Sequence, residues 1–392
     1  MAVSKRIETA IGQTGWIRAI FEDGLRLKKE LGPDNVFDFS LGNPSVEPPE
    51  AFFEVLAEEA ADRTPGLHRY MPNAGFPAAR EAVAAAIRDQ GAGEIPTENL
   101  VLCSGAGCGC NLALMTLLDP GDEVIVQVPF FLEYEHYIAN YGGKMVCVPT
   151  GDGFVPDVEA IRAAITPRTK VVLVDSPNNP TGVIYPRSLL EALGKVMAEK
   201  EREYGHEIYL LSDEPYRNLV YDDVEVPWMF DVHDNAIVVM SHSKDLGLAG
   251  ERIGYVAVGP KCEPAGKIVG GMIFAMRSLG FVNAPALMQR VVSRIQDASV
   301  DLSVYRTNRD VLAGELRRIG YEFPDPQGAF FIFPKSPTED ELEFIGRLRE
   351  ERILVVPGRG FGAPGYFRLS FAVDPQVVQK ALPGFARAFH GG

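Results

Sequence analysis

Cysteine is scarce in this chain. Five cysteines stand among 392 residues. An odd, sparse set of that kind excludes the disulfide framework of a small secreted domain and points to free thiols in a reducing cytoplasm. Basic residues are also in short supply, with 38 Lys and Arg against 53 Asp and Glu and a formal net charge of −15. Such a chain is a poor binder of polyanions, so nucleic acid and anionic membrane surfaces are excluded as partners. Any anion it takes has to be caught by a local site. No apolar run approaches the roughly 18–20 residues a membrane helix needs. The N-terminal segment is charged throughout and lacks the apolar stretch of a secretory signal. Its Ile17, Ile20, Phe21, Leu25 and Leu27 recur near helical spacing and predict an amphipathic helix.

What is present alternates. Short apolar, β-rich runs at Leu100–Cys103, Glu123–Val128, Lys144–Pro149, Val171–Asp175, Ile208–Ser212, Ile237–Ser241 and Gly254–Val258 are separated by helical patterns such as Cys110–Leu118, Val158–Ala164 and Arg187–Arg202. This alternation predicts an α/β fold with a mostly parallel, seven-stranded sheet whose ligands gather at the carboxyl ends of the strands. After Pro285 the pattern changes to one long helical stretch, then "GAFFIFP", another helix and "ILVVPG". That reads as a smaller α+β unit joined by the N-terminal "NVFDFSLGNP". The boundaries expected are residues 1–45 for an N-terminal arm and part of the small domain, 46–285 for the large domain and 286–392 for the small one.

Five strand ends carry polar groups. In "LCSGAGCGCNLAL", small residues crowd a strand-to-helix junction and leave backbone N–H groups free for a phosphate, although a tight packing turn explains them equally well. Cys103, Cys108 and Cys110 fall here. Their spacing is not a paired CxxC set and no histidine is near, so small buried side chains are preferred to a metal site. In "VPFFLEYEHY", Phe131 is placed to stack on a flat ring or simply to fill the core. "VDSPNNPTGVIY" ends a buried strand in a turn carrying Asn179. "LLSDEPYRNL" brings Asp213 and Tyr216, the aspartate being either a helix cap or the partner of a ring nitrogen. "MSHSKDLGLAGERIGY" sets Lys244 at the mouth of a buried strand with Ser241 and Arg252, both natural phosphate ligands. A phosphate cradle, a stacking ring, a carboxylate for a pyridinium and a lysine for an aldehyde are together what pyridoxal 5'-phosphate (PLP) requires.

On these motifs the chain resembles the class I/II aminotransferases, PLP-dependent transferases of fold type I (the aspartate-aminotransferase fold), over nearly its whole length. The resemblance implies backbone contacts to the phosphate from Ala106 and Gly107, with Ser241 and Arg252. It implies a stacking ring at Phe131, Asn179 and Tyr216 on the phenolic oxygen, Asp213 on the ring nitrogen and Lys244 as the Schiff-base lysine. In "SLGNPSVEPP" it places the backbone of Gly42 at the substrate carboxylate. In "GYFRLSF" it places Arg368 on the α-carboxylate. In "HRYMPNAGFPAARE" it implies that Tyr70 reaches the phosphate of the facing subunit in a homodimer. The continuation "CGC" departs from the larger residues of many relatives.

The function this implies is transfer of an amino group from an L-amino acid to a 2-oxo acid, 2-oxoglutarate for preference, with ping-pong kinetics and Lys244 as general base and acid. Arg277 lies near the position that reads a side-chain carboxylate in aspartate-specific relatives, one residue out of register, and otherwise is a helix-surface arginine. An aspartate-type donor is favoured. Aromatic or aliphatic donors stay open, since Trp16, Ile17, Phe21 and Phe131 are candidates for an apolar wall. Two alternatives remain. One is a PLP lyase, either a carbon–sulfur β-lyase or an enzyme like cyclopropane-carboxylate synthase. The other is a non-catalytic relative, which the presence of both Lys244 and Asp213 argues against.

Overall fold

The structure, a computed structural model, describes residues 3–391, apart from the side chains of residues 13–23. A seven-stranded sheet forms its centre, in the order Leu100–Cys103, Gly254–Val258, Ala236–Ser241, Tyr209–Asp213, Thr169–Asp175, Glu123–Val128 and Lys144–Pro149. Gly254–Val258 runs antiparallel to both its neighbours, and every other pairing is parallel. These are the strands expected from the apolar runs, with small shifts at their ends. Val171, Val172, Leu210, Leu211, Val238 and Val239 are fully buried, as befits strands covered on both faces.

Helices cover the sheet on both sides. Ala106–Leu117 starts earlier than the sequence pattern implied. Gly109 explains how it lies so close. A Cβ there would come within 2.6 Å of Val239 Cγ1, so the glycine lets the helix sit flush on the sheet. The "CGC" departure thus has a packing reason. Val158–Ala164 is capped by Asp157, whose side chain accepts from Ala160 N at 2.9 Å. Arg187–Tyr204 closes on Gly205 in the left-handed conformation.

The second core is aromatic. A three-stranded antiparallel sheet, Val356–Pro357, Phe367–Ser370 and Phe331–Ile332, stands beside a two-stranded parallel pair of Phe37–Asp38 and Ile353–Leu354. Phe39, Tyr305, Phe330, Phe331, Phe367 and Phe371 pack together there with the N-terminal strand. The single long helix read after Pro285 is two helices, Ala286–Ser293 and Ser303–Ile319. Between them Asp301 accepts from Ser303 N at 2.8 Å, a local bond that competes with continuing the helix. Met288, Val291, Val292 and Ile295 pack with the large core, whereas Val300, Tyr305 and Leu312 pack with the aromatic one. Core membership therefore changes between Ile295 and Val300.

The N-terminal helix spans Lys5–Leu31. The apolar wall considered for Trp16, Ile17 and Phe21, and the Ile20 position of the same face, lie outside the described side chains. Leu25 is exposed. Among the described residues no helix is long and apolar enough to cross a membrane.

Candidate active site

Strand register assembles the site. Thr169–Asp175 and Tyr209–Asp213 pair in parallel with Asp175 opposite Asp213, and the next strand ends at Ser241. Three consecutive strand ends therefore deliver polar groups to one cavity of about 420 Å³. Gly42, Ala106, Gly107, Phe131, Asn179, Asp213, Tyr216, Ser241, Lys244, Arg252 and Arg368 all face it, so eleven of the twelve expected site residues meet at one place. The twelfth, Tyr70, is 88% exposed and faces a separate cavity with His68, Phe281 and Val282.

The floor is acidic and dry. Asp213 is buried, and its Oδ2 accepts from Tyr134 Oη at 2.9 Å while its Oδ1 has no partner. Burial pushes its carboxyl up to about 6, opposed by hydrogen bonds from Tyr134 and Cys110. A buried acceptor left open in a cavity suits the protonated nitrogen of a heteroaromatic ring. Phe131 stands beside it, edge-on to Tyr134 at 5.5 Å between centroids. Tyr216 is buried edge-on against Phe330 and Phe331.

At one end the helix Ala106–Leu117 points its N-terminus into the cavity. Gly105 precedes it with φ 85°, and a Cβ there would meet Arg252 Nη2 at 2.8 Å. Arg252 lies across this turn and donates to Ser104 O at 3.1 Å and Ala249 O at 3.0 Å. Ser241 Oγ accepts from Ser243 N at 3.1 Å and lies 2.5 Å from Ser243 Oγ. Open amides at a helix N-terminus, two hydroxyls and a guanidinium make a phosphate cradle.

Lys244 Nζ donates to Gly42 O at 2.7 Å. Burial, then Arg368 and Arg252, push its amine down to about 8, so a minor but usable fraction of it is neutral near physiological pH. Arg368 is buried. It donates through Nη1 to Asn179 Oδ1 at 2.9 Å and through Nη2 to Ser40 O at 2.9 Å, and its Nε is unpaired. Its guanidinium lies 4.5 Å from the Phe331 ring centre, and burial lowers its pKa to about 10. A guanidinium facing a cavity with a donor to spare is made for a carboxylate. The residues present therefore fit PLP: a ring-nitrogen acceptor, a phosphate cradle and a lysine of depressed pKa converge on one cavity.

The sequence reading missed several participants. Tyr134, within "VPFFLEYEHY", donates its hydroxyl to Asp213. Cys110 appeared as packing, and its thiol lies against the same carboxylate. Asp175, Tyr137 and Phe331 also line the cavity. Arg277 is exposed on the helix Ala265–Ser278 and does not line the cavity of its own chain.

Comparison with known proteins bears on this geometry. The family model for aminotransferase class I and II matches residues 34–385. A probable aspartate/prephenate aminotransferase of Thermus aquaticus is 37% identical, covering 88% of this chain and 90% of that protein. The aspartate/prephenate aminotransferase of Thermus thermophilus is 36% identical over 94% of each. Among solved structures, an amino transferase from Eubacterium rectale is similar with a TM-score of 0.96 and 34% identity, covering 100% of this chain and 99% of that one. Thermus thermophilus aspartate aminotransferase with maleate has a TM-score of 0.85 and 31% identity, covering 99% and 100%.

Proposed function

The chain belongs to the class I and II aminotransferases and is a PLP-dependent aminotransferase, and from that premise we propose that it moves the amino group of a dicarboxylic L-amino acid, aspartate for preference, to 2-oxoglutarate with ping-pong kinetics. PLP supplies a carbonyl carbon for covalent attachment and a protonated ring that accepts the electron pair left when the substrate's Cα–H bond breaks.

The chain's own residues do the rest. Arg368 binds the substrate α-carboxylate in place of its present hydrogen bonds. Lys244 is the attachment point. Once free, its amine takes the Cα proton and returns it, a task suited to a base poised near 8. Asp213 holds the proton on the ring nitrogen, and Asn179 and Tyr216 stand at the ring's oxygen side. With PLP bound, Ala106, Gly107, Ser241 and Arg252 would anchor its phosphate, Phe131 would pack against its ring, and Gly42 would lie beside the substrate carboxylate. Donor and acceptor use Arg368 in turn, so the first product has to leave before the second substrate binds, as ping-pong behaviour requires.

The observation that carries this reading is Lys244, a lysine of depressed pKa facing Asp213 and Arg368 in one cavity. The preference for a dicarboxylate rests on relatives. Several are named aspartate aminotransferases, and one was solved with maleate, itself a dicarboxylate. A homodimer fits the exposure of Tyr70, Phe274 and Phe281, with Tyr70 lent to the facing subunit's phosphate. The reducing cytoplasm suits the unpaired cysteines.

The test is a panel of aspartate, alanine and phenylalanine with 2-oxoglutarate, for wild type and Arg277→Ala. A kcat/KM for aspartate at least tenfold above the other two supports the dicarboxylate reading, and a preference for phenylalanine overturns it. Loss of aspartate activity alone in the variant assigns Arg277 to the substrate's second carboxylate. Unchanged activity leaves it a surface residue.

A further inference from the structure

Asp175 has no role in the mechanism above, yet it is buried, faces the cavity and keeps one oxygen unpaired. Its Oδ2 accepts from Asn179 N at 3.1 Å, and parallel register places it directly beside Asp213. Two carboxyl groups thus end adjacent buried strands. Among the described ion pairs none involves either of them. The nearby cations are engaged elsewhere: Lys244 on Gly42 O, and Arg368 on Asn179 and Ser40. Two unpaired negative charges at neighbouring buried positions are too costly to coexist, so the pair retains one proton.

The surroundings decide which member keeps it. Asp213 is served by the hydroxyl of Tyr134 and faced by the thiol of Cys110, and donors of this kind favour an ionised carboxylate. Asp175 receives one backbone N–H. The other titratable groups around it are Tyr185 and Tyr216, both neutral at working pH, and the more distant Glu214, whose charge opposes its ionisation.

We propose that Asp175 is a positioning residue of this site, a neutral carboxylic acid that keeps the pair's single negative charge on Asp213 and ties down the backbone at Asn179. The inference rests on Asp213 as the ring-nitrogen partner and deepens that reading. A neutral acid and an amide are near-isosteric and both neutral, so Asp175→Asn preserves the role while Asp175→Ala removes it.

The direct test is infrared difference spectroscopy of the cofactor-free protein at neutral pH, wild type minus Asp175→Asn. A protonated-carboxyl band lost in Asp175→Asn but kept in Asp213→Asn supports the proposal, and a band kept in Asp175→Asn or lost in Asp213→Asn overturns it. The second measurement is PLP affinity. Asp175→Ala is expected to weaken binding by about tenfold, the scale of one lost buried hydrogen bond, and Asp175→Asn by less than about threefold. Equal weakening by both variants overturns the proposal, since it would show that the charge of Asp175 is what matters. Asp213→Asn, measured alongside, keeps the two readings apart. A PLP affinity unchanged in that variant strikes at the ring-nitrogen assignment, whereas the infrared bands of the two variants speak to which carboxyl of the pair keeps the proton.

Discussion

The cavity has two walls of different origin. The sheet-side wall carries Asp175, Asp213, Ser241 and Lys244, each at or just beyond the end of a strand buried over nearly its whole length. The opposite wall carries Gly42, Phe331 and Arg368, which arrive from the two ends of the chain. Lys244 reaches Gly42 across 202 positions of sequence, and Arg368 reaches Asn179 across 189. The first wall belongs to the central ladder, and Phe331 and Arg368 of the second to the smaller three-stranded sheet. The second is held by side-chain contacts to the first, and substrate has to take the place of some of them. Chemistry that needs fixed charges belongs to the sheet side, and recognition that forms and breaks in each turnover belongs to the other.

The sharpest way to break the comparison is at Lys244. Replacing it by Ala removes the proton carrier and the attachment point together. The expected loss in kcat is at least about 10³-fold, within the range of general acid–base catalysis. Borohydride reduction followed by mass spectrometry should label this lysine in wild type and leave the variant unlabelled.

Asp213→Asn comes next, with a loss in kcat of about 10²-fold, the scale of a lost electrostatic partner in a dry site. The same change has an opposite effect on stability. Burial raises the Asp213 carboxyl from 3.8 to about 6, so the folded state holds its proton more tightly than the unfolded chain does. Its contribution to stability is full below about pH 4 and is lost as pH rises through about 6. Above that, the cofactor-free fold carries a cost on the order of 3 kcal/mol for the buried charge. Cofactor-free Asp213→Asn should therefore be more stable than wild type at pH 7 in denaturant titrations, with the difference vanishing near pH 4. A functional group that destabilises its own fold marks a site shaped for its ligand.

On the opposite wall, Arg368→Lys keeps the charge and loses the planar fork. The KM for the amino acid should rise by roughly 10–100-fold, the scale of one to two charge-assisted hydrogen bonds. The kcat should fall less than about fivefold. Equal loss in kcat and kcat/KM would place Arg368 with the chemistry and erase the distinction between the walls.

The two walls were also unequally legible. Strand ends are short-range features, an apolar run closed by a polar residue, so Asp213, Ser241 and Lys244 stood out by their setting and Asn179 by its turn. The opposite wall has no such signal. Arg368 lies inside the strand Phe367–Ser370 among buried residues, and it was placed only through the resemblance carried by "FRLSF". Gly42 and Tyr70 came the same way. What no motif revealed were contacts between elements distant in sequence. The hydroxyl of Tyr134 meets a carboxylate 79 residues on, Cys110 reaches it from a neighbouring helix, and Asp175 became a site residue only when register set it beside Asp213. Even the break between the helices Ala286–Ser293 and Ser303–Ile319, near Asp301, depended on a side-chain bond that periodicity does not encode.

The smallest effect tests the support of the sheet-side wall. Tyr134→Phe keeps the ring edge-on to Phe131 and removes only the hydroxyl that donates to Asp213. That donor favours the ionised carboxylate, so its loss moves the Asp213 carboxyl further up. The sign follows directly. In the cofactor-free protein more of Asp213 is protonated at mildly acidic pH, and the acid limb of PLP affinity shifts to higher pH. One neutral hydrogen bond is worth about 0.5–1.5 kcal/mol, which predicts a shift of roughly half to one pH unit. PLP affinity should fall about twofold to fivefold near pH 6 and stay close to wild type near pH 8, with the KM of the loaded enzyme for the amino acid unmoved throughout. A uniform drop at every pH would mean that the hydroxyl serves packing alone. A rise in KM would mean that the influence of Tyr134 crosses the cavity to Arg368, and the division between a fixed floor and an adjustable wall would have to be redrawn.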